Sequence, residues 1–139
     1  MKPRILTFTL ALFALALAAC QPVTPGALPR GQVVLGLGES IASADGSLGV
    51  SFIEVVEDSR CPADAICVTS GTVRVLVQVT LGTESFQPTL TLGDMLAGDV
   101  SSIQVANSTA TLVDVQPYPL ASQPADPGDY KITLYVQNN

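Results

Sequence analysis

The residues with the most chemical potential fall in one short stretch, Glu57-Asp58-Ser59-Arg60-Cys61-Pro62, with Asp64 and Cys67 close behind. Two thiols can form a disulfide, hold a metal or cycle redox equivalents. Five residues separate Cys61 from Cys67, whereas redox pairs use a spacing of two, and the chain has no histidine to complete a zinc site. In an oxidising compartment the pair is expected to close a disulfide worth about 2 kcal/mol, mainly by constraining the unfolded chain. Arg60 stands at the lip of that loop, and two roles are open to it. With Pro62 and Asp64 it could form a partner-binding loop that enters an acidic pocket, such as that of a trypsin-like protease. Alternatively it pairs with Asp58, Asp64 or a nearby carbonyl and holds the loop in shape, which is the preferred reading.

Catalytic chemistry finds little to work with. Without histidine there is no Ser-His or Cys-His pair, and oxidised loop cysteines leave no thiolate. Lys131 falls in an expected strand, and no serine stands three residues before a lysine. Two carboxylates could in principle cleave a glycosidic bond, but the chain has no tryptophan of the kind that often lines sugar clefts. Asp126 and Asp129 around Pro127-Gly128, and Glu57, Asp58 and Asp64 around the cysteines, offer oxygen ligands without the spacing of a calcium loop. No catalytic residue, metal or cofactor is therefore assigned.

The amino terminus supplies the oxidising compartment. Met1-Lys2-Pro3-Arg4 precedes fifteen uncharged residues, Ile5 to Ala19, in the pattern of an export signal. As a helix this run reaches roughly 22 Å, short of a hydrocarbon core of roughly 30 Å, so a cleaved signal is expected rather than a permanent span. It ends in Leu17-Ala18-Ala19-Cys20, which resembles the lipobox of bacterial lipoproteins. The resemblance implies cleavage before Cys20 and attachment of membrane lipid to it, a diacylglyceryl group with further acylation (palmitate) at the new amino terminus. Each buried methylene contributes about 0.8 kcal/mol to such an anchor. The expected location is the extracytoplasmic side of the cell envelope. In a cell with two membranes the outer one is favoured, because Gln21 is not the aspartate that retains some lipoproteins at the inner membrane.

Removing 19 residues from 139 leaves 120, the size of one domain. Residues 21–30 read QPVTPGALPR, too rich in proline for helix or central strand, and suit a tether. The single domain is expected over residues 31–139. After the signal, four basic residues oppose twelve acidic ones, a net of −8. Such a surface repels nucleic acid, whose binding depends on neutralising phosphates.

To position the cysteine loop the chain must build strands, because apolar residues beyond Gly31 recur mostly with a period of two. The pattern is clearest at Val73, Val75, Val77, Val79 and Leu81. It recurs at Phe86, Leu90 and Leu92, at Thr111, Val113 and Val115, and at Tyr130, Ile132, Leu134 and Val136. Leu48, Val50 and Phe52 begin another strand, but Ile53 and Val55 fall on the opposite parity, which predicts a bulge near Glu54 or burial on both faces. Further strands are expected at Val33 to Leu37, extending through Ser40 to Ser43, and at Val100 to Ala106. Asp45-Gly46, Gly82-Thr83 and Asn107-Ser108 suit hairpin turns, and Leu92 to Ala97 a short turn of helix. About seven strands point to an antiparallel β-sandwich, immunoglobulin-like in outline, with a small β-barrel as the alternative.

The stretch from Glu57 to Pro62, with Cys67 and Ser70-Gly71, resembles a family of small bacterial lipoproteins and secreted β-domain proteins. In that family an acidic-Ser-Arg-Cys-Pro element joins two core strands through a disulfide loop. The likeness covers Leu48 to about Val79 and, more loosely, Asp114 to Pro119 and Tyr130 to Val136. The family's tryptophan after the second cysteine is replaced here by Val68 and Thr69. The resemblance implies export and fold without naming an activity. The expected function is a non-catalytic binding or accessory domain of the envelope, with an envelope protein or small ligand as partner. The alternatives are an inhibitor of a lysozyme or protease and a carboxylate-dependent hydrolase.

Overall fold

The computed structural model describes residues 26–139. The expected signal peptide, Cys20 and the first part of the tether lie outside them. The described chain is an all-β sandwich of two antiparallel sheets, with nine strands against the seven or so expected. The first sheet runs β1 (Gly31–Gly36), β9 (Lys131–Asn138), β8 (Ser108–Gln116), β7 (Ser102–Val105). The second runs β2 (Ser40–Ala42), β3 (Leu48–Asp58), β4 (Thr72–Leu81), whose far edge is shared by β5 (Glu84–Phe86) and β6 (Thr89–Gly93). The two sheets do not close into a barrel. In the first sheet β1 pairs with the last strand, β9, and in the second β6 returns to β4; the other pairings join strands consecutive in sequence. Among the described residues no helix is long and apolar enough to cross a membrane.

The period-two pattern becomes the core directly. Val73, Val75, Val77 and Val79 of β4 face Ile132, Leu134 and Val136 of β9 through a layer that includes Phe52 and Leu112, all fully or almost fully buried. β3 sits between β2 and β4 and carries the expected bulge at Ile53, with a second at Val56. The Asp45-Gly46 and Gly82-Thr83 turns join paired strands as expected.

Five readings need correction. The strand expected through Phe86, Leu90 and Leu92 is broken into β5 and β6, because Pro88 has no N–H for the ladder; Phe86 is left exposed while Leu90 is buried. In β8 the buried residues are Ala110, Leu112 and Val115, and Val113 is exposed. A bulge between Leu112 and Asp114 inserts one residue and flips the parity. Residues 40–43 do not continue β1: after a turn at Glu39, β2 belongs to the other sheet. Leu92 to Ala97 forms no helix, because β6 ends at Gly93 with φ 110°, where a Cβ would overlap the Gly71 carbonyl. The last turn falls at Ala106-Asn107, one residue early, and Ser108 opens β8.

The domain also starts earlier than Gly31. Leu28 is buried in the core, and its N–H donates to the Ser108 hydroxyl, so the last part of the expected tether is docked.

Candidate functional site

Strand directions give the sandwich two distinct ends. The chain enters at Arg30 and leaves at Asn139 beside the turns at 43–47, 82–83 and 106–107. The opposite end gathers the cysteine loop between β3 and β4, the 93–99 segment, and the long 117–130 connection from β8 to β9. All the residues singled out around the cysteines lie at this loop end.

Cys61 and Cys67 form the expected disulfide, with their Cα atoms 5.8 Å apart. Arg60 does not reach outward. The residue is only 8% exposed, and its side chain lies across the gap between the sheets. Nε donates to Asp58 Oδ1 at 2.8 Å and Nη2 to Asp58 Oδ2 at 2.6 Å, a two-pronged pairing that a lysine could not make. Nη1 donates to the Val115 carbonyl at 2.6 Å and Nη2 also to the Pro117 carbonyl at 3.0 Å, tying β3 to the end of β8. The guanidinium also stacks on Tyr118, 4.8 Å from its ring centroid. The protease-pocket role for Arg60 is therefore withdrawn, because the group is committed to holding the loop in shape.

Tyr130 completes the cluster by donating its hydroxyl to Asp58 Oδ2 at 3.0 Å. Burial would raise the Asp58 carboxyl, but the hydrogen bonds and charge of Arg60, helped by Tyr130, hold it below the usual carboxylate range. Arg60 is likewise kept charged by Asp58 against its own burial. For the Tyr130 phenol burial and the Asp58 carboxylate act in the same direction and push it up. Sequence reasoning missed Tyr118 and Tyr130 as members of this cluster. The signal available was the Asp114-to-Pro119 likeness and a tyrosine at the start of a core strand.

Asp64, the other charged member of the loop, is exposed and occupied. Its carboxylate accepts the Ala121 N–H at 2.6 Å and the Ser122 N–H at 3.1 Å, and these bonds lower its pKa. The Ala63 N–H donates to the Pro119 carbonyl at 3.0 Å. Pro62 is half-buried, and its carbonyl receives the Ala65 N–H at 3.0 Å. The loop is thus fastened along one side to the 117–122 segment, which begins with a cis Gln116–Pro117 bond. Gly71 closes the base: at φ 72° it passes so near Ser59 that a Cβ would overlap the Ser59 carbonyl, and its N–H donates to Asp94 Oδ2 at 3.0 Å.

The residues facing outward are different ones. Ile66 and Val68, on either side of Cys67, are both fully exposed. Nothing in the apolar periodicity marked them, since the loop interrupts the strands that carry it.

Of the carboxylates that could offer calcium ligands, Glu57, Asp58, Asp64 and Asp126 are engaged by other groups of the chain. Glu57 pairs with Arg74 at 2.6 Å, and Asp126 Oδ1 accepts the Gly128 N–H at 2.9 Å in the short 3-10 turn before β9. Among the described residues no group of three or more His, Cys, Asp or Glu is placed to hold a metal ion.

Charge is distributed unevenly along the strands. Residues 57–74, 93–99 and 114–131 carry eight carboxylates against three cations, a net of −5. The opposite end has Asp45 and Glu84 against Arg30. The arrangement is an acidic end with an apolar tip.

No family model matches the sequence, and no curated protein or solved structure matches it either.

Proposed function

We propose that this chain is a lipid-anchored binding domain on the extracytoplasmic side of the cell envelope. It is cut before Cys20, held by acyl chains there, and works without catalysis through the loop end of the sandwich. The carrying observation is the pair Ile66 and Val68, fully exposed on a loop closed by a disulfide and braced by Arg60 and Asp64. Exposed apolar side chains on an ordered loop favour a partner, because little further ordering is lost when they are covered. Attachment at the amino terminus supports the same geometry. The chain enters at one end of the sandwich, and a span of up to about 36 Å for the eleven residues of β3 places the loop away from the tether.

The test is a cross-linked pull-down from the native envelope with the full lipidated protein and an Ile66→Asp/Val68→Asp variant. A specific envelope protein captured by the first and lost from the second supports the reading; a partner retained by both removes the loop tip from it. Circular dichroism verifies that the variant is folded, as expected for two side chains with no packing. Mass analysis of the amino-terminal peptide tests the anchor separately, and an unacylated Cys20 would sink that half of the proposal.

A further inference from the structure

A second binding site lies beside the loop and arises from the irregularity of β3. The two bulges turn the strand so that Ile53, Val55 and Val56 do not all join the core: the first two are half-buried and Val56 is 55% exposed. β4 pairs with this stretch along one edge, while β2 reaches only as far as Ser51 on the other, so among the described residues no strand borders that edge. Across from it the 125–130 segment presents Ala125, Pro127 and Tyr130, and Leu37 from the β1–β2 turn forms one wall. The result is an open apolar groove of about 510 Å³, within the range of about 300–1,000 Å³ typical of ligand clefts.

Charge says what would occupy it. Glu54, exposed and without an ion-pair partner among the described residues, stands on the β3 bank. Asp126 and Asp129 lie in the same segment as the other bank but line the neighbouring hollow beside Tyr118 and Leu120, so they add negative charge nearby and not within the groove. Glu57 and Asp58 also line the groove, Glu57 paired with Arg74 at the surface and Asp58 with the buried Arg60. No arginine or lysine lines the groove, and Lys131 is the one exposed cation adjoining the 125–130 segment. An anionic ligand would be repelled here, and a purely apolar one would leave Glu54 beside an uncharged surface.

We infer that the groove between β3 and residues 125–130 binds a cationic amphipathic peptide segment, with apolar side chains seated against Val55, Val56 and Tyr130 and a basic group over Glu54. This site is independent of the lipid anchor and of the Ile66–Val68 tip. It therefore stands or falls separately from the function proposed above.

The experiment uses the full mature protein in a non-ionic detergent and a short, fluorescently labelled lysine/leucine amphipathic peptide, followed by anisotropy. Micromolar binding is expected, with none for the glutamate/leucine counterpart. Glu54→Gln is expected to weaken it about fivefold, the scale of one partly exposed ion pair, whereas Glu84→Gln, an equal change in net charge at the opposite end, leaves it unchanged. Val56→Lys is expected to weaken it by about tenfold or more, by placing a like charge among the apolar contacts. Both changed groove residues are exposed, so the fold is retained. Absence of binding to the lysine/leucine peptide overturns the inference. So does equal loss in Glu54→Gln and Glu84→Gln, which would mean attraction by net charge alone, or insensitivity to Val56→Lys. Ile66→Asp leaves the affinity unaltered if the two surfaces are separate, and a matching loss there would overturn the assignment to the groove.

Discussion

Replacing Arg60 by alanine removes a buried side chain that spans the two sheets at the loop end. Four hydrogen bonds disappear: two to the Asp58 carboxylate and one each to the carbonyls of Val115 and Pro117. The side chains of the pair are 7% and 9% exposed, so the lost partner is not replaced by bulk water as it would be at the surface. Breaking a buried pair from one side costs about 3–5 kcal/mol, where an exposed pair would cost about 1 kcal/mol or less. Against a total of about 5–15 kcal/mol for a domain, Arg60→Ala should take away a large fraction of the stability. At roughly 4 °C per kcal/mol for a domain of this size, the midpoint of thermal unfolding should fall by about 12–20 °C. Urea titration at pH 7, followed by far-ultraviolet circular dichroism, measures the same loss directly.

The pH dependence of stability reports on the same buried pair. In the native protein the Asp58 pKa is depressed, so its stabilising contribution is present above the unfolded value of about 3.9 and is lost as pH falls through the lower folded value. Without Arg60, burial dominates and the folded pKa rises above the unfolded one. The penalty then applies at neutral pH and is relieved as Asp58 takes up a proton. The gap between native protein and variant should therefore narrow between pH 7 and pH 4. Combining Asp58→Leu with Arg60→Met should recover part of the loss, since no charge remains buried, while the two carbonyls and the Tyr130 hydroxyl still lack partners. A loss below about 1 kcal/mol at pH 7, or one independent of pH, would refute the claim that this pair is desolvated and bridges the sheets.

Three further outcomes follow from the same end of the molecule. Replacing Cys61 and Cys67 by serine should cost about 2 kcal/mol in urea titration under non-reducing conditions, with no loss when native protein and variant are compared after reduction. Gly71→Ala should destabilise by more than the roughly 1–3 kcal/mol of an unfavourable backbone region, because its Cβ would also overlap the Ser59 carbonyl; Gly46→Ala, at φ 70° with open space around it, reports the backbone cost alone. The raised Tyr130 pKa means that stability is full below about pH 10 and lost as pH rises through the folded value; ultraviolet titration should show a late-ionising phenol that is missing in Tyr130→Phe.

Much of the architecture could be read from one-dimensional pattern, because burial of one sheet face forces a period of two. The β4 valines are legible for this reason, and the parity change at Ile53 correctly announced the bulge that opens the groove. The pattern failed where backbone geometry and not hydrophobicity decides. Pro88 cut one strand into two, the β8 bulge exposed Val113, and the close approach of Gly71 and Gly93 replaced a helical turn. At the candidate site, the disulfide followed from cysteine count and the local role of Arg60 from its neighbours. What a single sequence hides is which distant groups share a buried charge. Val115, Pro117, Tyr118 and Tyr130 converge on Asp58 and Arg60 from more than fifty positions away, and no spacing rule connects them.

The antiparallel pairing of β1 with β9 bears on how the molecule carries load. β1 enters at the terminal end and is matched to β9 over six consecutive positions, from Gly31 opposite Val136 to Gly36 opposite Lys131. A force applied between the amino-terminal segment and the cysteine loop acts along the strands, perpendicular to the hydrogen bonds that join them. β1 is then strained in shear, with its ladder loaded as a group, instead of being peeled away one bond at a time. The first strand of the described chain is thereby placed to resist such a force through six matched positions at once.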